Sequence, residues 1–194
     1  MNSLFRLIRD RQGSITIEMA FVIMGFVLLL AIIVDFGVVM LRQSKLERTN
    51  TSLTMAFRER VALYSEGNTL TKFESENVSQ RQVDQLARMA KTLLGEPDVS
   101  LRVDYVTFAS GTVRTVQTSQ KFYYGPTRCD PQVEALADYQ HLSPYSGFDR
   151  WMPLYRVTTC IPGRMSWYRY LISNDGSGGN TVDGLRASNI AIPR

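Results

Sequence analysis

Gly13-Ser14-Ile15-Thr16-Ile17-Glu18 places a glycine behind a basic leader and a single carboxylate at the mouth of a long apolar run. Arg6, Arg9 and Arg11 precede the glycine, whereas Met19 to Val34 holds no charge and no strongly polar side chain. Counted from Ser14, Glu18 is the fifth residue. Ile15 to Leu41 is about 27 residues, or roughly 40 Å as an α-helix, enough to cross a hydrocarbon layer of about 30 Å with tilt to spare. A spanning helix is therefore expected over 14–41, with 1–13 as its leader. A secretory signal peptide has a shorter apolar region closed by an Ala-x-Ala-like site, and Ala31-Ile32-Ile33-Val34-Asp35 is nothing of the kind. Any cut falls ahead of the apolar run, so the helix stays with the mature chain.

Glu18 needs a physical reason. A carboxylate inside a bilayer costs about 2.5 kcal/mol or more on insertion scales, so such groups are rare and usually paired. Two readings stand. In one, cleavage after Gly13 frees the amine of Ser14 one helical turn away, and that amine or the equivalent one of a neighbouring subunit neutralises Glu18. In the other, Glu18 lies at the cytoplasmic headgroup level and needs no partner. Asp35, about 30 Å along the helix from Ile15, is expected near the far interface.

The segment Arg11-Gln12-Gly13-Ser14-Ile15-Thr16-Ile17-Glu18-Met19-Ala20 resembles the N-terminus of the TadE/TadF pseudopilins of bacterial tight-adherence (Tad, or Flp) type IV pili. The resemblance implies that a prepilin peptidase cuts between Gly13 and Ser14, and that Glu18 is the assembly carboxylate. The major Flp pilin is a very short chain with Tyr after the Glu; here Met19 follows and a large C-terminal region is attached, so a minor pilin fits better. General secretion pseudopilins and the better-known type IV pilins usually begin the mature chain with an aromatic residue, and here Ser14 takes that place. Within the pair, the shape of the chain is closer to TadF than to TadE. The implied role is structural, in assembly or initiation of an adhesion pilus and thus in biofilm formation. Implied partners are other Tad pilins (TadE-like and major Flp), the prepilin peptidase, an inner-membrane assembly platform and the lipid bilayer. The competing reading is an unprocessed single-pass inner-membrane protein whose periplasmic domain binds a ligand or an envelope partner.

Beyond the helix about 150 residues remain, one ordinary domain with room for its own core. The expected organisation is an amphipathic extension over 42–64 and a globular α+β domain over 65–194. The formal net charge of +4 is spread among acids, as in Arg58-Glu59-Arg60 and Arg102-Val103-Asp104. It reads as solvated surface, with no basic stripe for nucleic acid. Charge does not orient the span, because Arg42, Lys45 and Arg48 follow it as closely as the leader arginines precede it. Cys129 and Cys160 are the two cysteines. A bridge between them would stabilise by roughly 3 to 4 kcal/mol in the chain-entropy model and would persist in an oxidising compartment. That places the domain in the periplasm and the N-terminus in the cytoplasm; two buried free thiols are the alternative.

Leu46, Asn50, Leu53, Phe57, Val61 and Tyr64 recur at intervals of three and four, one stripe of a helix that continues past the membrane. Ser65 to Thr69 supplies turn formers. A second helix opens at Asn77 to Gln80, carries Val83, Leu86, Met89, Ala90 and Leu93, and stops at Gly95 and Pro97. Val99, Leu101, Val103 and Tyr105 alternate with polar residues and form a hairpin with Thr112 to Tyr124 across Ala109-Ser110-Gly111. Leu154 to Ile161 is a third strand and Trp167 to Ile172 a fourth. Pro126 to Pro153 reads as an irregular surface excursion pinned at Cys129. A long N-terminal helix with an antiparallel sheet downstream is the general pilin plan.

Chemistry is sparse. His141 is the one histidine, so a multi-histidine zinc site cannot be built, and beside Pro144 it reads as a loop residue. No catalytic or cofactor-binding residue is assigned, and no enzyme is expected. The glycine-rich run 175–183 lacks the lysine of a phosphate-binding loop. Asp175, Asn180 and Asp183 could loosely ligate calcium as hard oxygen ligands, but a plain loop is the favoured reading and no metal site is assigned.

Overall fold

No proline interrupts the chain before Pro97, and the apolar run and the amphipathic stretch behind it form one helix, α1, Gln12–Arg58. At 1.5 Å per residue it is about 70 Å long. The computed structural model describes residues 12–59, 78–131, 133–146, 150–162 and 184–192. These fall into two units: residues 12–41, and the described residues from Arg42 onward. In the first unit, the side chains from Ile17 to Val34 are exposed all round the helix. In the second, Leu46, Asn50, Leu53 and Phe57 are buried, as their spacing predicts. The expected stripe positions Val61 and Tyr64 and the turn at 65–69 lie outside the described residues.

Helix α2, Gln80–Leu94, begins with a capping box, in which the Ser79 hydroxyl accepts from the Gln82 N–H and the Gln82 side chain accepts from the Ser79 N–H. It ends at Gly95, whose left-handed backbone (φ 71°) lets its N–H reach the Lys91 carbonyl. Its buried residues are Val83, Leu86, Ala87, Ala90 and Leu94. Met89 and Leu93, expected inside, are 41% and 52% exposed. The inward face runs through 83, 87, 90 and 94, so these two fall on its flank, and small Ala87 brings the helix close to the sheet.

The main sheet has four antiparallel strands, β1 (Ser100–Phe108), β2 (Val116–Tyr124), β5 (Leu154–Ile161) and β6 (Leu185–Ala191), in the order β2-β1-β5-β6. The short strands β3 (Tyr145–Ser146) and β4 (Arg150–Trp151) pair separately. The β1–β2 hairpin and β5 match expectation, except that β2 starts at Val116 rather than Thr112. Residues 109–115 form the connection instead, closed by the Ala109 N–H to the Thr115 carbonyl at 2.9 Å. The fourth strand of the sheet is β6, which the sequence does not announce; the expected strand over 167–172 lies outside the described residues.

The helices cover one sheet face. Leu101, Val103, Tyr105, Tyr155, Val157 and Ile161 meet Leu46, Leu53, Phe57, Val83, Leu86 and Ala90 there. Each such buried apolar side chain contributes about 1.5 to 3 kcal/mol. Tyr105 and Tyr155 stack at 5.2 Å, with Phe57 edge-on to Tyr155 at 5.6 Å. Asn50 is fully buried in this apolar setting but satisfied: its amide donates to the Val157 carbonyl at 3.3 Å and its carbonyl accepts from the Thr159 hydroxyl at 2.7 Å.

The other face corrects two expectations. The stretch 126–153, pinned at Cys129 and largely exposed where described, is more than a surface excursion, because Cys129, Leu136 and Ser143 are buried, with a 3-10 helix over Leu136–Leu142. Leu136 packs on Val106, Phe108 and Leu154, so the stretch acts as a second layer under the sheet. Arg102 and Asp104, read as solvated, are 6% and 3% exposed beneath that layer, together with Arg156 at 2%. Strand β1 is consequently buried on both sides. Gly125, at the turn out of β2, has φ +106°, and a Cβ there would lie 2.6 to 2.7 Å from Ser100 Oγ, Ser100 Cα and the Val99 carbonyl.

Candidate assembly site on the N-terminal helix

The first turns of α1 place Ser14 and Glu18 four residues, about one helical turn, apart along the backbone. Gly13 lies in the same helix. Glu18 is exposed and has neither a hydrogen bond nor an ion pair among the described residues. Apolar side chains surround it: Ile17, Met19, Phe21 and Val22 are all exposed. Among the described residues, this is the one helix long and apolar enough to cross a membrane. A carboxylate in that setting has water or an outside cation as its stabilising neighbour. A helix with such an apolar surface, uncovered among the described residues, is suited to burial in lipid or against other apolar helices. Asp35, half-buried, sits about 26 Å from Glu18 along the helix.

In the second unit, the polar groups that cluster are structural. Asp104 accepts from Arg102 Nε at 2.6 Å and from Arg156 Nε at 2.9 Å, with Arg156 Nη2 also donating to it. Arg102 Nη1 reaches Asp130, Arg156 Nη1 donates to the Glu134 carbonyl at 2.7 Å, and Arg186 Nη1 donates to the Asp130 carbonyl at 2.6 Å. Burial opposes the charge on Arg102, but the hydrogen bond and attraction from Asp104, with smaller help from Tyr123 and Asp130, outweigh it and raise its pKa. Arg102 therefore remains a cation. Three arginines of the sheet thus hold the segment around residues 130–134 against its second face. The sequence signal for this was slight: charged residues on the polar alternation of β1 and β5, whose partners are separated by 28 and 52 positions.

Cys129 and Cys160 form a disulfide, with Cα atoms 5.7 Å apart, tying the same segment to β5. His141 is exposed in the 3-10 helix, its ring 6.2 Å from that of Tyr139. Among the described residues no group of three His, Cys, Asp or Glu side chains could hold a metal ion. The calcium candidates Asp175, Asn180 and Asp183 lie outside the described residues.

The family model of tight adherence pilin protein F (TadF) matches residues 6–194, nearly the whole chain. No curated protein and no solved structure matches. The match runs through the residues ahead of Gly13, the apolar helix with Glu18 and the bridged domain alike, so it does not rest on the N-terminal motif alone. The chain belongs to the TadF family of tight adherence pilin proteins.

Proposed function

We propose that the chain is a minor pilin, cut between Gly13 and Ser14 by a prepilin peptidase and acting in assembly or initiation of a Tad pilus. Residues 14–41 anchor it in the inner membrane, 42–64 extend the helix, and 65–194 form a periplasmic domain. The Cys129–Cys160 bridge supports that orientation, since such a bond persists in an oxidising compartment. The observation that carries the reading is Glu18: an exposed, partnerless carboxylate in an apolar helix, one turn from the residue that would become the mature N-terminus. An amine of the same or a neighbouring pilin helix, TadE-like or major Flp, is the complementary partner. Its attraction would draw α1 from lipid into a bundle.

Intact mass of the protein purified from its membrane tests the processing step. Loss of residues 1–13, abolished by Gly13→Leu, is the expected result. A protein that keeps Met1, or a Gly13→Leu variant cut as before, would favour an unprocessed anchor carrying a periplasmic binding domain.

A further inference from the structure

A groove of about 690 Å³ is lined by Thr51, Thr54, Met55 and Arg58 of α1, by Leu142, and by Asn189, Ile190, Ala191 and Ile192 of β6 and the residue after it. Successive strand residues point to opposite sheet faces. Ile190 and Ile192 face the cluster of Val106, Leu136 and Leu154, while Asn189 pairs with Val157 of the helix-covered face. The cavity is touched by both sets at the C-terminal end of β6, which is an edge strand among the described residues. Helix α1 meets the N-terminal half of this strand, where Gln43 Nε2 donates to the Arg186 carbonyl at 3.1 Å, so it is the outer edge near Ile190 that adjoins the groove.

Edges are normally protected by charges, prolines or bulges. The other edge strand, β2, has Lys121 and an irregular register beside Phe108. β6 carries one charge, Arg186 near its start; from Ala187 to Ala191 it has no charge and no proline, and its register with β5 is unbroken. Among the described residues, Arg58 is the one charged residue lining the groove, and its Nε is buried without a hydrogen-bond partner. A donor of that kind can take an acceptor, and its positive charge favours an anionic one.

We propose that this edge receives an extended peptide segment as an added strand, with apolar side chains against Ile190, Ile192, Met55 and Leu142 and a carboxylate on Arg58. Strand addition supplies main-chain hydrogen bonds, and the groove supplies side-chain selection. The partner is thus another polypeptide bearing an acidic, strand-forming stretch. This surface is independent of Glu18, so either site can fail without the other.

The full chain in detergent micelles is titrated with fluorescent peptides of about eight alternating valines and threonines, one with a central glutamate and one with a central glutamine, and with hexanoate. The glutamate peptide should bind, the glutamine peptide about tenfold more weakly. The amide resonances of Ser188 and Ile190 should shift on binding. Arg58→Gln should erase the difference between the peptides while Arg58→Lys keeps part of it, and circular dichroism should show both variants folded. Equal binding of the two peptides, no binding of either, hexanoate outcompeting both, or shifts confined to residues remote from β6 would each overturn the proposal.

Discussion

Asp104→Asn is the sharpest test of what holds the second sheet face together. Asp104 is 3% exposed and lies between two guanidinium groups that are themselves almost fully buried. The substitution preserves volume but removes the negative charge and replaces one acceptor oxygen with a donor. Arg102 and Arg156 are left with one neutral amide oxygen, with Asp130, whose side chain is 54% exposed, and with one backbone carbonyl. Breaking a buried ion pair from one side costs about 3 to 5 kcal/mol, because the other charge stays desolvated. A unit-charge attraction at about 4 Å in an effective dielectric of about 20 gives a similar figure of about 4 kcal/mol. Against a total stability of about 5 to 15 kcal/mol, that is a large fraction. Urea unfolding of the full chain in mild detergent, followed by tyrosine and tryptophan emission, should show a midpoint lowered by at least about 1 M. The combined change Asp104→Leu, Arg102→Leu and Arg156→Met should cost far less than Asp104→Asn alone, since no charge is then stranded. A loss below about 1 kcal/mol for Asp104→Asn would mean that the arginines are solvated, and the account of the second layer would be wrong.

Two further perturbations follow from the same layer. Cys129→Ser should lower stability by roughly 3 to 4 kcal/mol in the chain-entropy model, because the bridge closes a separation of 31 residues. Thiol labelling of the denatured, unreduced wild-type protein should find no reactive cysteine, and two reactive thiols would contradict the bridge. Gly125→Ala should destabilise by more than about 1 kcal/mol, since the new methyl would meet the Ser100 backbone at 2.7 Å from a left-handed φ; an unchanged thermal midpoint would show that the turn relaxes freely.

The elements differ in how plainly the sequence announces them, and the reasons are physical. Helix α1 was legible along its described length because its apolar run is long and its later stripe keeps helical spacing, so even polar Asn50 fell in place. The Ser79 and Gly95 ends of α2 were legible because caps are local chemistry. Its inward face was less so: Met89 and Leu93 are apolar enough to belong to a stripe, and only the sheet beneath decides that Ala87 and Leu94 take those positions. Strand β6 offers Ser188 and Asn189 among small residues, too weak an alternation to be read without its neighbour β5. The buried arginines were illegible for a different reason. Alternation marks Arg102 and Asp104 as one face of β1, but nothing local reveals that a proline-rich stretch folds back to cover that face. Of the candidate site, Ser14 and Glu18 stand out in the sequence by their place between a basic stretch and an apolar run, and the roles proposed for them come from the resemblance, whereas the edge groove depends on residues from α1, the 3-10 helix and β6, which only folding brings together.

The central claim is that Glu18 draws α1 into a pilin bundle, and assembly by Glu18→Ala cells measures it most directly. The substitution removes the cost of a carboxylate in lipid, so the variant should insert and be processed normally. With wild-type levels of cleaved protein in the membrane, the account predicts loss of pili by electron microscopy and loss of partner pilins in co-purification, with Glu18→Asp partly active because its side chain is shorter. Normal pili and normal co-purification from Glu18→Ala cells would contradict it and leave Glu18 as a residue of the membrane boundary.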